Sequence, residues 1–200
     1  NIEKIRKSIS NLNMNDEAYK EMADLLNKNS ELTNAILHHY DMLARNERIR
    51  PSLGNEMQIL YMRDRQTYMF LLFPELKQIC YEIAKLIGEK ILAPNLVGDD
   101  LPSLMHNSAH YAADHKYAYQ EIVKATKYFG IYRNYECADC YGLPNIGQKI
   151  CIHEAGTAAG QYQGALNLPV DVVETKCCAN GDKFCEFEIR VLPGENRSGI

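Results

Sequence analysis

The sequence of 200 residues has no excess of basic residues, no long apolar run and no N-terminal signal segment. Lys and Arg number 22 against 26 Asp and Glu, and a net charge of −4 gives no basic face for nucleic acid. The longest apolar run covers only residues 68–73, whereas a membrane-spanning helix needs roughly 20 apolar residues. We therefore expect a cytoplasmic protein that contacts neither membrane nor nucleic acid directly.

Motifs for nucleotide-driven and hydrolytic chemistry are also missing from the sequence. It contains no Gly-x-Gly-x-x-Gly after a strand, no phosphate-binding loop ending in Gly-Lys-Ser/Thr and no nucleophile elbow. His106 and His110 are four residues apart, as in the helix of zinc proteases, but Asn107 stands where those enzymes carry the glutamate base. We therefore favour a binding protein over an enzyme.

Hydrophobic periodicity predicts a helical first half. Residues 1–50 carry apolar stripes at helical spacing, and we expect a helical extension that packs on the core or pairs two chains as a homodimer. A strand is predicted at 56–62, one long helix from about residue 71 to Ala93-Pro94, and a second helix over about 103–128.

The second half has a mixed pattern, with a strand predicted at 131–136, a helix at 151–166 and a β-hairpin over 170–191. The whole pattern predicts an α+β fold, with a flexible tail at 194–200. Two predicted helices share the motif Glu-x-small-x3-Gly, beginning at Glu82 and at Glu154, and small residues four apart allow close helix packing.

Cysteine is concentrated in this second half, since six of the seven cysteines lie between residues 137 and 185. An odd number of cysteines without a signal segment favours reduced thiols over disulfides. Thiolates are preferred ligands of zinc, which takes four ligands in a tetrahedron. The cluster therefore predicts a metal site.

Strand alternation selects two of these cysteines. Phe187, Ile189 and Val191 alternate with polar residues, which puts Cys185 on the buried face of its strand. With a three-residue loop at 180–182, Cys177 lies opposite Cys185, on the face of Val173 and Thr175, while Cys178 points away. A two-residue Asn-Gly turn would separate Cys177 from Cys185, so metal binding requires an odd or bulged loop.

Cys137-x-x-Cys140 is a second candidate pair. Two thiols at this spacing either chelate zinc, here completed by Cys177 and Cys185, or serve a structural or redox role without metal. We favour the role without metal.

The segment Cys151-Ile-His-Glu154-Ala-Gly156-Thr-Ala-Ala-Gly160, followed by Glu174-x-x-Cys177 and Cys185-Glu-Phe187, resembles the vinyl-4-reductase domain family. The resemblance covers about residues 50–192 and defines a domain over 51–193. It implies a twisted antiparallel sheet covered by helices, and a zinc ion on three cysteines and a glutamate. Carried over to this sequence, the ligands are Cys151, Glu174, Cys177 and Cys185.

Two consequences follow for this zinc site. Glu174 and Cys177 are three residues apart and would face opposite sides of a regular strand, so the chain must bulge between them. A zinc ion with four protein ligands has no open coordination position, so its role is expected to be structural.

The resemblance also implies a hydrophobic cavity, in which family members hold aromatic effectors or tetrapyrrole-like molecules. We expect this cavity beside the helix that carries His106, His110, Tyr111 and His115 on neighbouring stripes. The predicted function is a zinc-stabilised binding module for a small hydrophobic or aromatic ligand, acting as a sensor or carrier. The alternatives are an enzyme or accessory protein in tetrapyrrole vinyl reduction, and a thiol redox switch through Cys137 and Cys140.

Overall fold

The structure is a computed structural model that describes residues 48–53, 57–74 and 76–192, together with His38 and Met42. Almost all of the predicted extension at 1–50 and the whole predicted tail at 194–200 lie outside these residues. Arg50 is buried, and its guanidinium donates to the main-chain carbonyls of Tyr117 and Glu136, each at 2.9 Å. These hydrogen bonds fix residues 48–53 to the domain.

Helices α1 (Met57–Leu72) and α2 (Leu76–Ile87) come first, and α2 continues into a π-helical turn (Gly88–Leu92) and a 3-10 turn (Ala93–Asn95). The predicted strand at 56–62 is wrong, because this segment belongs to α1, where Met, Gln, Leu and Arg are good helix formers. The predicted long helix is interrupted at Pro74, since proline disfavours helical conformation in the residue before it. Among the described residues, we find no helix with both the length and the apolar content to cross a bilayer.

Helix α3 (Leu101–Asp114) begins at Asp100, whose carboxylate accepts a hydrogen bond of 2.9 Å from the main-chain nitrogen of Ser103. The predicted helix over 103–128 is wrong beyond Asp114. Lys116 takes a left-handed conformation with φ of 56°, and the chain then forms strand β1 (Tyr119–Ala125). Pairing of β1 with the next strand outweighs the helical spacing of its sequence.

The remaining strands are β2 (Phe129–Tyr135), β3 (Val170–Lys176) and β4 (Cys185–Val191). They form one antiparallel sheet in the order β1-β2-β4-β3. Tyr132 and Phe187 stack in its core with ring centroids 4.9 Å apart. Helices and an antiparallel sheet together confirm the predicted α+β fold.

Helix α4 (Ile152–Leu166) packs closely against α2. Gly156 and Gly160 lie directly against the main-chain carbonyls of Tyr81 and Lys85, where even a methyl group would collide. This confirms the close packing predicted from the repeated small-residue motif. Towards α3, the side chain of Gln161 donates a hydrogen bond of 2.7 Å to Ser108.

Candidate metal centre and adjoining cavity

Five fully buried thiols meet at one end of the sheet; they belong to Cys137, Cys140, Cys151, Cys177 and Cys185. Cys151, at the start of α4, is central, with sulfur–sulfur distances of 3.8 Å to Cys137 and 3.5 Å to Cys140. Its sulfur lies 3.8 Å from that of Cys177 and 3.7 Å from that of Cys185. A zinc ion with Zn–S bonds of about 2.3 Å separates its sulfur ligands by about 3.8 Å. These separations therefore suit tetrahedral thiolate coordination.

The β3–β4 hairpin brings Cys177 and Cys185 together in the predicted register. Lys176 pairs with Glu186, and the next positions along the two chains are Cys177 and Cys185. The predicted three-residue loop is wrong, because regular pairing ends at Lys176 and a 3-10 turn (Cys178–Asn180) follows. The alternation of β4 therefore predicts which residues face each other, although it does not predict the length of the turn.

A β-bulge lies where the spacing of Glu174 and Cys177 requires one. Glu174 pairs with Phe187 and Lys176 with Glu186, which leaves Thr175 as an extra residue in β3. The bulge places Glu174, 3% exposed, on the buried face that Cys177 joins. Val173 and Thr175 are exposed, so the prediction that they share the face of Cys177 is wrong.

The carboxylate of Glu174 is held by one hydrogen bond. Its Oε2 accepts from the main-chain nitrogen of Cys151 at 3.0 Å, whereas Oε1 is buried without a hydrogen-bond partner. Burial, reinforced by the nearby Cys177 sulfur, raises the pKa of Glu174 to about 10. A cation among the thiols would compensate both the buried charge and the unpaired oxygen.

The described residues offer two sets of four metal ligands, each with its ligand atoms within 4.8 Å of one another. One set is Cys151, Glu174, Cys177 and Cys185, the residues that the family resemblance implies. The other is Cys137, Cys140, Cys151 and Cys185, so the second close set contains Cys151 where we predicted Cys177.

Two further details concern the remaining thiols. Cys137 and Cys140 are free thiols directed into the cluster, and the sulfur of Cys140 lies 3.1 Å from that of Cys185. Cys178, predicted to point away, is half-buried, and hydrogen bonds with Cys140 and Cys185 lower the pKa of its thiol to about 5. It belongs to neither ligand set.

A cavity of about 520 Å³ adjoins the cluster. Its walls come mainly from α1, α3 and α4, and the apolar lining includes Met62, Met69, Leu92, Ala112 and Ala158. We predicted a cavity between α3 and the sheet; the structure places it beside α3, and the sheet contributes Gln120 of β1.

The predicted ligand-binding residues differ in their relation to this cavity. Tyr111 and His115 line it and stack with ring centroids 3.9 Å apart. His110 is exposed and lines a smaller neighbouring cavity of about 260 Å³, together with Tyr111. His106 is exposed and lines neither cavity.

The cavity has a polar end that the sequence analysis missed. The Tyr117 hydroxyl donates to Asp139 at 2.7 Å, and Glu154 accepts from the Tyr132 hydroxyl at 3.1 Å and from Gln120 at 3.4 Å. Burial raises the pKa of Glu154 to about 7 and holds the pKa of Asp139 well above its usual range. Both acids can therefore hold a proton near neutrality, and so donate as well as accept hydrogen bonds.

These two acids are close in sequence to the thiol cluster. Asp139 lies between Cys137 and Cys140, and Glu154 lies three residues after Cys151. Their positions beside cysteines were visible in the sequence, but their burial depends on how α3 and α4 pack around the cavity.

Residues 131–191 match the model of the vinyl-4-reductase domain family. The uncharacterized protein MJ0150 of Methanocaldococcus jannaschii is 32% identical over 116 residues, which cover 58% of this chain and 65% of that protein. The chain thus spans just under two thirds of the length of this relative. A solved vinyl-4-reductase family protein from the same organism is 17% identical, with a TM-score of 0.43 over 72% of this chain and 86% of that one.

The phenol-responsive sensory domain of the transcription activator PoxR, solved with phenol, has a similar fold. The TM-score is 0.51 at 10% identity, over 66% of this chain and 73% of that chain. The match to the family model covers β2, α4, β3 and β4, the elements around the thiol cluster. Residues 131–191, which contain all the candidate metal ligands, thus form a vinyl-4-reductase domain, as the motifs around Cys151, Glu174 and Cys185 predict.

Proposed function

We propose that this protein is a metal-stabilised binding module for a small hydrophobic or aromatic molecule, acting as a sensor or carrier. The observation that carries the proposal is the cavity of about 520 Å³ beside the thiol cluster. Ligand pockets typically measure about 300–1,000 Å³, with mostly apolar walls and a few polar groups that orient the ligand. The methionine and alanine walls and the acidic end around Glu154 fit that description.

We propose zinc as the metal, held by Cys151, Glu174, Cys177 and Cys185. With four protein ligands it would supply structure rather than chemistry. Cys151 directly precedes α4, which carries Glu154 and Ala158 into the cavity wall. Coordination at Cys151 would therefore fix the start of this wall, and metal binding would contribute to folding.

The shape and polarity of the cavity support an aromatic ligand that bears a hydroxyl group. Tyr111 and His115 offer aromatic surface near one wall, while Glu154 and the Tyr117–Asp139 pair exchange hydrogen bonds at the polar end. Binding of phenol by the PoxR sensory domain, which shares the fold, is consistent with this ligand class. Because the cavity exceeds the size of phenol, we expect two-ring compounds to bind more tightly.

The redox-switch alternative receives less support from the structure. Redox-sensor cysteines are solvent-accessible, whereas Cys137 and Cys140 are fully buried. The apolar stripes of residues 1–50 support a homodimer, which we propose as the oligomeric state.

Ligand-induced thermal stabilisation tests the binding proposal. Phenol and 2-naphthol should raise the melting temperature of the protein, because a ligand that binds only the folded state stabilises it, by about 2.7 kcal/mol at a hundredfold excess over Kd. For a domain of this size, we expect a rise of roughly 5–10 °C. Tyr111→Ala should abolish the rise with metal still bound.

Tyr128→Ala is a matched control, since Tyr128 is 50% exposed, similar to Tyr111 at 45%, and is absent from the cavity lining. The control should respond like the wild type. Melting temperatures that do not change with either compound, or that change equally in both variants, would reject this cavity as the binding site.

A further inference from the structure

The thiol cluster contains more ligands than one zinc ion uses. Five fully buried thiols and the carboxylate of Glu174 converge, whereas a tetrahedral ion takes four ligands. A zinc ion on Cys151, Glu174, Cys177 and Cys185 therefore leaves two buried thiols, Cys137 and Cys140, within reach of its ligands.

The two ligand sets are arranged as two tetrahedra with a common edge. Both contain Cys151 and Cys185, whose sulfur atoms are 3.7 Å apart. One set is completed by Glu174 and Cys177, the other by Cys137 and Cys140. A thiolate has more than one lone pair, so each shared sulfur can bridge two metal ions.

The chain around Cys137 is folded as a chelating turn. The main-chain nitrogens of Cys140 and Tyr141 both donate to the carbonyl of Cys137, at 3.3 and 2.9 Å. The turn directs both thiols of the pair to the shared edge, with Cys137 3.8 Å from Cys151 and Cys140 3.1 Å from Cys185. Buried cysteines also occur as small hydrophobic residues, but simple packing does not require a sulfur–sulfur approach as short as 3.1 Å.

Charge balance points in the same direction. Five thiolates and one carboxylate carry six negative charges, and two divalent ions reduce this to two. Two lysines lie at the rim: Lys149 donates to the main-chain carbonyl of Glu174 at 2.7 Å, and Lys77 donates to that of Lys149 at 3.1 Å. With a single ion, full deprotonation would leave four buried negative charges, which is far costlier.

We propose that the cluster holds two divalent ions of the zinc class, bridged by the thiolates of Cys151 and Cys185, with Cys137 and Cys140 completing the second site. The inference rests on the proposed zinc site, because the two ions share two ligands. The second ion would fix the turn that carries Asp139, whose carboxylate accepts from Tyr117 at the polar end of the cavity.

Metal stoichiometry of the full chain tests this proposal. Elemental analysis of zinc-loaded wild type should give two zinc ions per chain, and the double variant Cys137→Ser/Cys140→Ser should give one. Cys80→Ser is the control, since Cys80 belongs to neither ligand set, and it should keep two ions. In cadmium-substituted wild type, ¹¹³Cd NMR should show two resonances coupled through the shared sulfurs, which decides the question even if the double variant does not fold.

The outcomes separate this inference from the proposed zinc site. One ion per wild-type chain that survives in the double variant and is lost in Cys177→Ser would overturn the second site and leave the first intact. One ion that is lost in the double variant and kept in Cys177→Ser would overturn both assignments. A wild-type chain that binds no metal would also overturn both.

Discussion

Glu154 illustrates how the surroundings of one residue determine its chemistry. This carboxyl lies at the polar end of the cavity, accepts from Tyr132 and Gln120, and has a pKa raised to about 7 by burial. The ordinary pKa of 4.5 holds for the unfolded chain. The folded protein therefore keeps a proton on Glu154 at pH values where the unfolded chain has lost it.

The sign of the resulting pH dependence is defined. The stabilisation from a raised carboxyl pKa is fully present below about pH 4.5 and is lost as the pH rises through about 7. At 1.36 kcal/mol per pKa unit, the loss reaches about 3 kcal/mol. We expect the free energy of unfolding of wild type to fall by that amount relative to Glu154→Gln between these pH values, in urea titrations. Parallel pH profiles for the two proteins would contradict the burial of this acid.

The candidate metal ligands and the cavity acids differ in how far the sequence predicts them. Cys177 and Cys185 follow from strand alternation, and Glu174 from the family motif together with the required bulge. Glu154 and Asp139 were not predicted as cavity residues, because nothing local marks an acid as buried. Their environment arises when α1, α3 and α4 enclose the cavity.

At the scale of elements, the bulge in β3 is the feature on which the metal site depends most. Thr175 is exposed, and its insertion turns Glu174 and Cys177 to the same side. Deletion of Thr175 should restore a regular strand and turn the Glu174 side chain away from the thiols. We expect the deletion variant to bind zinc at least about tenfold more weakly, measured by competition with a chelator.

The substitution Thr175→Ser is the control for that deletion, because it keeps the extra residue and its hydroxyl. It should retain wild-type zinc affinity. Equal affinity in the deletion variant and the control would show that Glu174 does not need the bulge to reach the metal, or is not a ligand.

The elements that the sequence predicts incorrectly are those whose conformation depends on distant partners. Residues 119–125 have helical spacing yet form β1, because β2 supplies main-chain hydrogen bonds along their length. The short apolar run at 57–61 does not distinguish strand from helix by periodicity alone. By contrast, α4 and the β3–β4 hairpin carry strong local signals and are found within a residue of their predicted positions.

At the scale of the whole molecule, residues 1–50 connect the fold to the proposed homodimer. Arg50 is anchored in the domain by main-chain carbonyls, so a truncation that tests the extension must keep residues 48–53. We expect a chain lacking residues 1–47 to change its oligomeric state or its solubility, because apolar stripes that cover another surface would be lost. Light scattering coupled to size-exclusion chromatography measures this, and an unchanged mass with unchanged solubility would remove the dimerisation proposal.

The metal cluster and the cavity share their supporting segments, so metal and ligand binding should be linked. The turn of Cys137 and Cys140 carries Asp139, and the helix that follows Cys151 carries Glu154. Removal of the metal would release both segments and disorganise the polar end of the cavity.

Calorimetric titration of 2-naphthol into zinc-loaded and chelator-treated protein measures this linkage directly. The account predicts saturable binding of one molecule per chain to the zinc-loaded protein, and binding at least about tenfold weaker after zinc is removed. The absence of saturable binding to the zinc-loaded protein, or an affinity that does not change when zinc is removed, would contradict a metal-stabilised ligand-binding module.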